Sequence, residues 1–226
     1  MLQAYVPRGT QLERHEIPLT GTVPEEAVWL DLVNPAPGED KMVEQLLGIA
    51  VPTREEMQEI EVSSRLYVEH HARFMTATLM CNSDTAVPKH TAVTFILAKH
   101  RLVTVRYEDP RPFTIVGNKL TRVCPKDVTG ETVLMDLLDA VIDREADLLA
   151  SCYRNSLALA REHGIKTIAF PAISCGVYRY PLEQAVAIAV RETANFVAVN
   201  DNLDKIIFAC FGTESLAAYM RELARL

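Results

Sequence analysis

The chain has 226 residues, with 23 basic and 30 acidic side chains, a formal net charge of −7 and 49% apolar residues. That length holds one large domain or two small ones, and the apolar fraction supports a packed core. The acidic balance argues against a general nucleic-acid binder, and no run approaches the ~18 apolar residues a membrane span needs. Residues 1–150 carry 15 basic and 23 acidic side chains, whereas residues 151–226 carry 8 and 7, an asymmetry that suggests two parts of different history. Cys81, Cys124, Cys152, Cys175 and Cys210 are scattered, odd in number and form no CxxC pair. This pattern predicts reduced thiols in a cytoplasmic protein, not a disulfide framework or zinc site. The start, Met1 to Tyr5, lacks a basic stretch followed by an apolar run, so no signal peptide is expected.

In chain order, Glu26–Val33 reads as a strand closed by the turn Asn34-Pro35-Ala36-Pro37-Gly38. Met42, Val43, Leu46 and Leu47 recur at helical spacing over Glu39–Leu47, and Pro52 to Glu56 reads as a second helix start. Tyr67–Met80 and Thr91–Arg106 are β-like, the latter a hairpin turning at Lys99-His100. Thr129 to Glu131 caps a long helix through Leu149. From Ser151 the grammar changes. A helix over Cys152–His163 stops at Gly164. Then come a strand Ile165–Phe170, a loop Pro171–Tyr180, a helix Pro181–Val197, a strand Lys205–Phe211 and a final helix from Thr213. Strand, crossover helix, strand predicts a parallel βαβ unit.

The first part carries Trp29-Leu30-Asp31-Leu32, then Pro52 to Met57, Glu59-Ile60-Glu61, Ser63 to Tyr67, Phe95-Ile96-Leu97 and Leu102 to Tyr107. With these blocks in this order, residues 1–149 resemble the N-terminal cytosolic domain of CorA-type magnesium transporters. The resemblance implies an α/β domain with a mixed sheet, feeding a helix toward the membrane. The family's pore needs two spans with a Gly-Met-Asn signature, and this sequence has neither. Gly117-Asn118 lacks the methionine and is expected in a polar loop. A truncated magnesium-transporter domain with a regulatory role is one functional reading. No metal ligand and no cofactor is assigned, because scattered acids such as Asp31, Asp40 and Asp136 read as solvated surface.

The second part carries Cys152 to Leu157, then Ile168 to Tyr178 (IAFPAISCGVY) and Tyr180-Pro181. From about Leu148 it resembles the C-terminal part of a macro domain, of the type that hydrolyses O-acetyl-ADP-ribose or removes ADP-ribose. Residues 150–226 are therefore expected to form a partial macro-domain β-α-β unit with parallel strands. A small-residue loop before a helix suits an anion, since successive N–H groups there favour a diphosphate. By resemblance, Ser174, Cys175, Gly176, Val177 and Tyr178 would hold the diphosphate and ribose of ADP-ribose, and Phe211 matches the position where an aromatic ring stacks on adenine. The macro domain's earlier half would supply an acid for the adenine amine, an Asn near the ribose, a glycine-rich loop and the catalytic acid. No residue upstream is assigned those roles, so no catalytic residue is named. The expectation is a hybrid with its join at 145–150, binding ADP-ribose or a related nucleotide diphosphate weakly and turning over little or nothing. A macro-type deacetylase or ADP-ribosyl hydrolase is the alternative.

Other features take plainer readings. His70-His71 are expected in a strand, pointing to opposite faces and unable to share a metal ion. Arg65, Arg101 and Arg106 are expected on solvated strand faces, and Trp29 in the core. Cys175 is expected to be inert. As a residue of this chain alone, Phe211 is expected to pack in the core. The two later strands would have exposed edges, which predicts docking on the first part or self-association.

Overall fold

Leu2, Ala4 and Val6 alternate with Tyr5 along the N-terminal segment, so that both faces of one strand are apolar and buried. This strand is β1 (Leu2–Arg8), and it turns back antiparallel onto β2 (Gln11–Ile17). The computed structural model describes residues 1–58, 65–82, 89–176 and 180–226. The chain divides into two units, Met1–Val141 and Ile142–Leu226.

In the first unit, β1 also pairs with β3 (Trp29–Val33), and β3 runs parallel to β7 (Arg101–Arg106). β4 (Leu66–Glu69), β5 (Ala72–Cys81) and β6 (Lys89–Ala98) complete a mixed seven-stranded sheet, in the order β2-β1-β3-β7-β6-β5-β4. One face packs Leu30, Leu32, Ile96, Val103 and Val105 with Val43 of α1 (Glu39–Leu47). The other packs Trp29, Phe95 and Leu102 with Phe113 and Val116 of α2 (Arg111–Leu120) and Val133 and Leu137 of α3 (Gly130–Glu162). Gly130 donates its amide to the His100 carbonyl at 2.8 Å. A Cβ there would stand 2.3 Å from the Leu102 amide nitrogen, so only glycine lets α3 start against this backbone.

Several expectations need correction. Gly117-Asn118 lie within α2, not in a polar loop, and Gly117 is buried. His70 and His71 form the β4–β5 turn with φ of 46° and 63°, so they are turn residues and not strand neighbours. Arg101 and Arg106 are buried, because every residue of the central strand β7 is covered on both faces. Arg106 pairs with buried Asp31 at 2.8 Å and with Asp109 at 2.6 Å, so Asp31 is no solvated acid. Arg101 donates to the carbonyls of Ala27 and Glu25. The predicted second helix is a single 3₁₀ turn, Glu56–Gln58. Its start is a reciprocal cap, with the Thr53 amide donating to Glu56 at 2.8 Å and the Glu56 amide to the Thr53 hydroxyl at 3.3 Å. The expected motif residues Glu59 to Ser64 lie outside the described residues.

The boundary between units falls inside α3, the same helix that carries the expected join. Its later turns bury Leu149, Ala150, Tyr153 and Leu157 in the core of the second unit. Gly164, at φ 64°, ends the helical segment in the left-handed conformation. β8 (Thr167–Pro171), α4 (Leu182–Val197), β9 (Lys205–Ala209) and α5 (Thr213–Leu223) follow. β8 and β9 are parallel, with Thr167 opposite Lys205 and Pro171 opposite Ala209. Ile168, Phe170, Ile206 and Phe208 pack against Val186, Ala189 and Tyr219 in one core. The alternate residues, Ala169, Ile207 and Ala209 among them, are exposed. Among the described residues this sheet has two strands, so each keeps one unpaired edge. No helix among the described residues is long and apolar enough to cross a membrane.

Candidate functional site

The site is built where β8 ends. Ala172 and Ile173 continue from Pro171, and the backbone then reverses at Ser174, whose φ of 66° lies in the left-handed region that a serine rarely adopts. Two hydrogen bonds hold the reversal. The Cys175 amide donates to the Ala172 carbonyl at 3.4 Å, and the Tyr180 amide donates to the Ser174 carbonyl at 3.0 Å. Pro181 then caps α4 with φ −57°, with no side-chain cap hydrogen bond among the described residues. Apart from its chain neighbours, no described residue comes within 4 Å of where a Gly176 Cβ would stand, so packing among the described residues does not explain this glycine.

Beneath the loop sits an aromatic floor. Tyr153 of α3 is buried and tilts against Phe170 with ring centroids 4.9 Å apart. Phe208 of β9 stacks on Tyr219 of α5 at 4.6 Å. Burial pushes the Tyr153 hydroxyl well above its ordinary pKa, and the neighbouring Tyr219 adds to the shift. Burial likewise raises Tyr219, Tyr180 and the Cys175 thiol. These four groups therefore stay protonated near neutral pH, as hydrogen-bond donors and not bases or nucleophiles. A buried carboxylate, Glu192 of α4, is clamped by Arg191 at 2.9 Å and by Arg154 of α3 at 3.2 Å, which ties the two helices together.

Ser174, Cys175 and Gly176 thus stand together at the carboxyl end of β8. Val177 and Tyr178 lie outside the described residues. Phe211 is two residues past the end of β9 and is 100% exposed, which corrects the expectation of core packing. Since Pro171 and Ala209 are in register, the loop and Phe211 both follow the carboxyl ends of a parallel pair, the side where ligands of open α/β sheets bind. The Tyr153–Tyr219 floor was missed in the sequence. Tyr153 was visible only as a member of a family block, and Tyr219 carried no signal beyond helical spacing.

The comparisons with known proteins fall on this part of the chain. The macro-domain family model matches residues 139–189. A macro domain-containing protein of Chlorobaculum tepidum is 54% identical over 80 residues, covering 35% of this chain and 46% of that protein. An O-acetyl-ADP-ribose deacetylase of Klebsiella pneumoniae is 49% identical over 80 residues, covering 35% and 46%. Among solved structures, the Trypanosoma brucei macrodomain in complex with ADP-ribose aligns at 39% identity and TM-score 0.34, covering 34% of each chain. The Oceanobacillus iheyensis macrodomain with ADP aligns at 36% identity and TM-score 0.36, covering 37% of this chain and 43% of that one. The C-terminal part of the chain is similar to macro domains. The chain spans less than half the length of the curated relatives it matches. These similarities give the CorA-type resemblance of residues 1–149 no support.

Proposed function

We propose that the second unit is an ADP-ribose-type binding module that takes the diphosphate on the loop from Ser174 to Gly176. The observation that carries this is the left-handed Ser174 reversal, held at the carboxyl end of β8 beside open space at Gly176, within macro-type sequence. Val177 and Tyr178 belong to the same proposed loop, and the exposed ring of Phe211 supplies the adenine platform. Binding without turnover is the favoured form, because the loop's neighbouring tyrosines and thiol are held protonated by burial and furnish donors only. Calorimetry with ADP-ribose on the full chain tests it. We expect saturable binding that Gly176→Glu abolishes and Phe211→Ala weakens by about 1–3 kcal/mol, the range for one lost stacking contact. No heat at millimolar ligand overturns the reading.

A second reading is favoured by the relatives named O-acetyl-ADP-ribose deacetylase, at 49% identity. Here the unit would hydrolyse the acetyl ester, and release of acetate at high enzyme concentration decides it. For residues 1–149, the proposal of a CorA-like domain rests on the order of its sequence blocks and on the mixed α/β character of that unit. Co-purification with a full-length CorA-type subunit is its test. The five free cysteines fit the proposed cytoplasmic setting.

A further inference from the structure

The first unit carries a pocket that the macro-type reading does not use. Its walls come from residues around the 3₁₀ turn, the residue before β4, strands β5 and β6 and the end of β7, and it has a volume of about 280 Å³. Arg54, Arg65, His90, Tyr107 and Thr78 line it, with Glu108 as its one carboxylate among the described residues. The guanidinium of Arg54 lies over the Tyr107 ring, 5.0 Å from its centroid. That contact holds the Arg54 guanidinium against the ring at the pocket wall. Arg65 is anchored by its backbone, whose carbonyl accepts the Thr76 amide at 2.8 Å. Among the described residues, neither Arg54 nor Arg65 forms an ion pair with a carboxylate. Two guanidinium groups facing one cavity, without a carboxylate partner among the described residues, stand out in a segment with 23 acidic and 15 basic side chains.

We infer that this pocket binds a small oxyanion, a phosphate or carboxylate group on a short organic body. Paired guanidinium forks match the planar oxygens of either group in a bidentate manner, and Thr78 and Tyr107 add neutral donors. Met57 and Ala92 form an apolar wall for the body of the ligand. The volume lies just below the range for small-molecule sites, which suits a compact ligand.

The test uses the full chain carrying Gly176→Glu, so that failure of the macro-type loop cannot be confused with failure here. Inorganic phosphate and citrate are titrated in separate arms at constant ionic strength, with thermal unfolding and calorimetry as readouts. We expect saturable binding in at least one arm. Phosphate alone or citrate alone identifies the preferred headgroup. Arg54→Gln and Arg65→Gln should each weaken binding about tenfold or more, equivalent to about 1.4 kcal/mol, while Arg122→Gln on the exposed surface leaves it unchanged. Circular dichroism of each variant checks that it folds. Absence of saturable binding in both arms overturns the inference, as does binding that both arginine variants retain in folded form.

Discussion

At the scale of single residues, the strongest constraint is a charge taken out of water. Arg106 is buried in the central strand. Desolvation alone would lower its pKa, but Asp31 and Asp109 outweigh that and hold it charged. Asp31 accepts from Arg106 and from the Thr104 hydroxyl at 2.6 Å, and Thr104 in turn accepts from the Trp29 indole at 2.9 Å. Asp31→Ala would leave a guanidinium buried with Asp109 as its one ion-pair partner among the described residues. A loss of roughly 3–5 kcal/mol is expected, the range for breaking a buried pair. Urea unfolding measures it. The double variant Asp31→Leu with Arg106→Leu should recover a large part of the loss, and a double variant no more stable than the single would refute this account. Glu39 gives a pH dependence. Burial alone would raise its carboxyl, but the N-terminal ammonium and the Ala36 and Leu2 amides outweigh it and hold the pKa below its usual value. A depressed folded pKa contributes stability that is fully present above the unfolded value of about 4.3 and lost as pH falls through the folded one. Glu39→Gln should therefore flatten the acid side of the stability curve. Unfolding titrations between about pH 3 and about pH 6 would show the variant's slope unchanged if Glu39 plays no such part.

At the scale of elements, Gly130 decides how α3 begins. A side chain there meets the Leu102 backbone, which cannot swing aside like a flexible side chain. Gly130→Ala should destabilise by about 1–3 kcal/mol despite alanine's better helix propensity, and thermal unfolding reads the sign. The elements differ in how legible they were. α1 could be read to its ends because prolines punctuate its start and its apolar residues keep one spacing. The β6–β7 hairpin and the parallel β8–α4–β9 order were legible for the same reason. β1 and β2 were not, because β2 buries only Leu12 and Ile17 among charged neighbours. α2 was hidden because Pro110 and Pro112 carry the ordinary signal of a helix break, although proline is tolerated in the first turn of a helix. The His70-His71 turn lacked the glycine or asparagine that normally signals positive φ. In the candidate site, the Ser174 to Gly176 loop was legible from its family block. The exposure of Phe211 was not, since an apolar run ending in Phe looks the same whether or not anything covers it.

At the scale of the whole molecule, the second unit has an open sheet. β8 and β9 are composed like interior strands, yet Ala169 and Ile207 face outward and each strand keeps an unpaired edge. The outer side of α5 repeats this, with Leu216, Met220 and Leu223 exposed at helical spacing. Phe211 and Val199 add to the exposed apolar surface of the same unit. Unpaired edges beside apolar surface are templates for pairing between chains. A second copy offers the same edges at the same concentration, so the chain should self-associate through this unit. The sheet can be blunted without touching its core, because Ile207 lies on the open face while Ile206 and Phe208 hold the packed one. Ile207→Lys puts a charge beside the edge at little cost to the core, and Ala169→Lys does the same on β8. Sedimentation velocity across a wide concentration range should show the parent chain shifting to larger species, with both variants shifted toward monomer. A parent chain that sediments as a monomer at every concentration would mean that these edges are protected, and the prediction would fail.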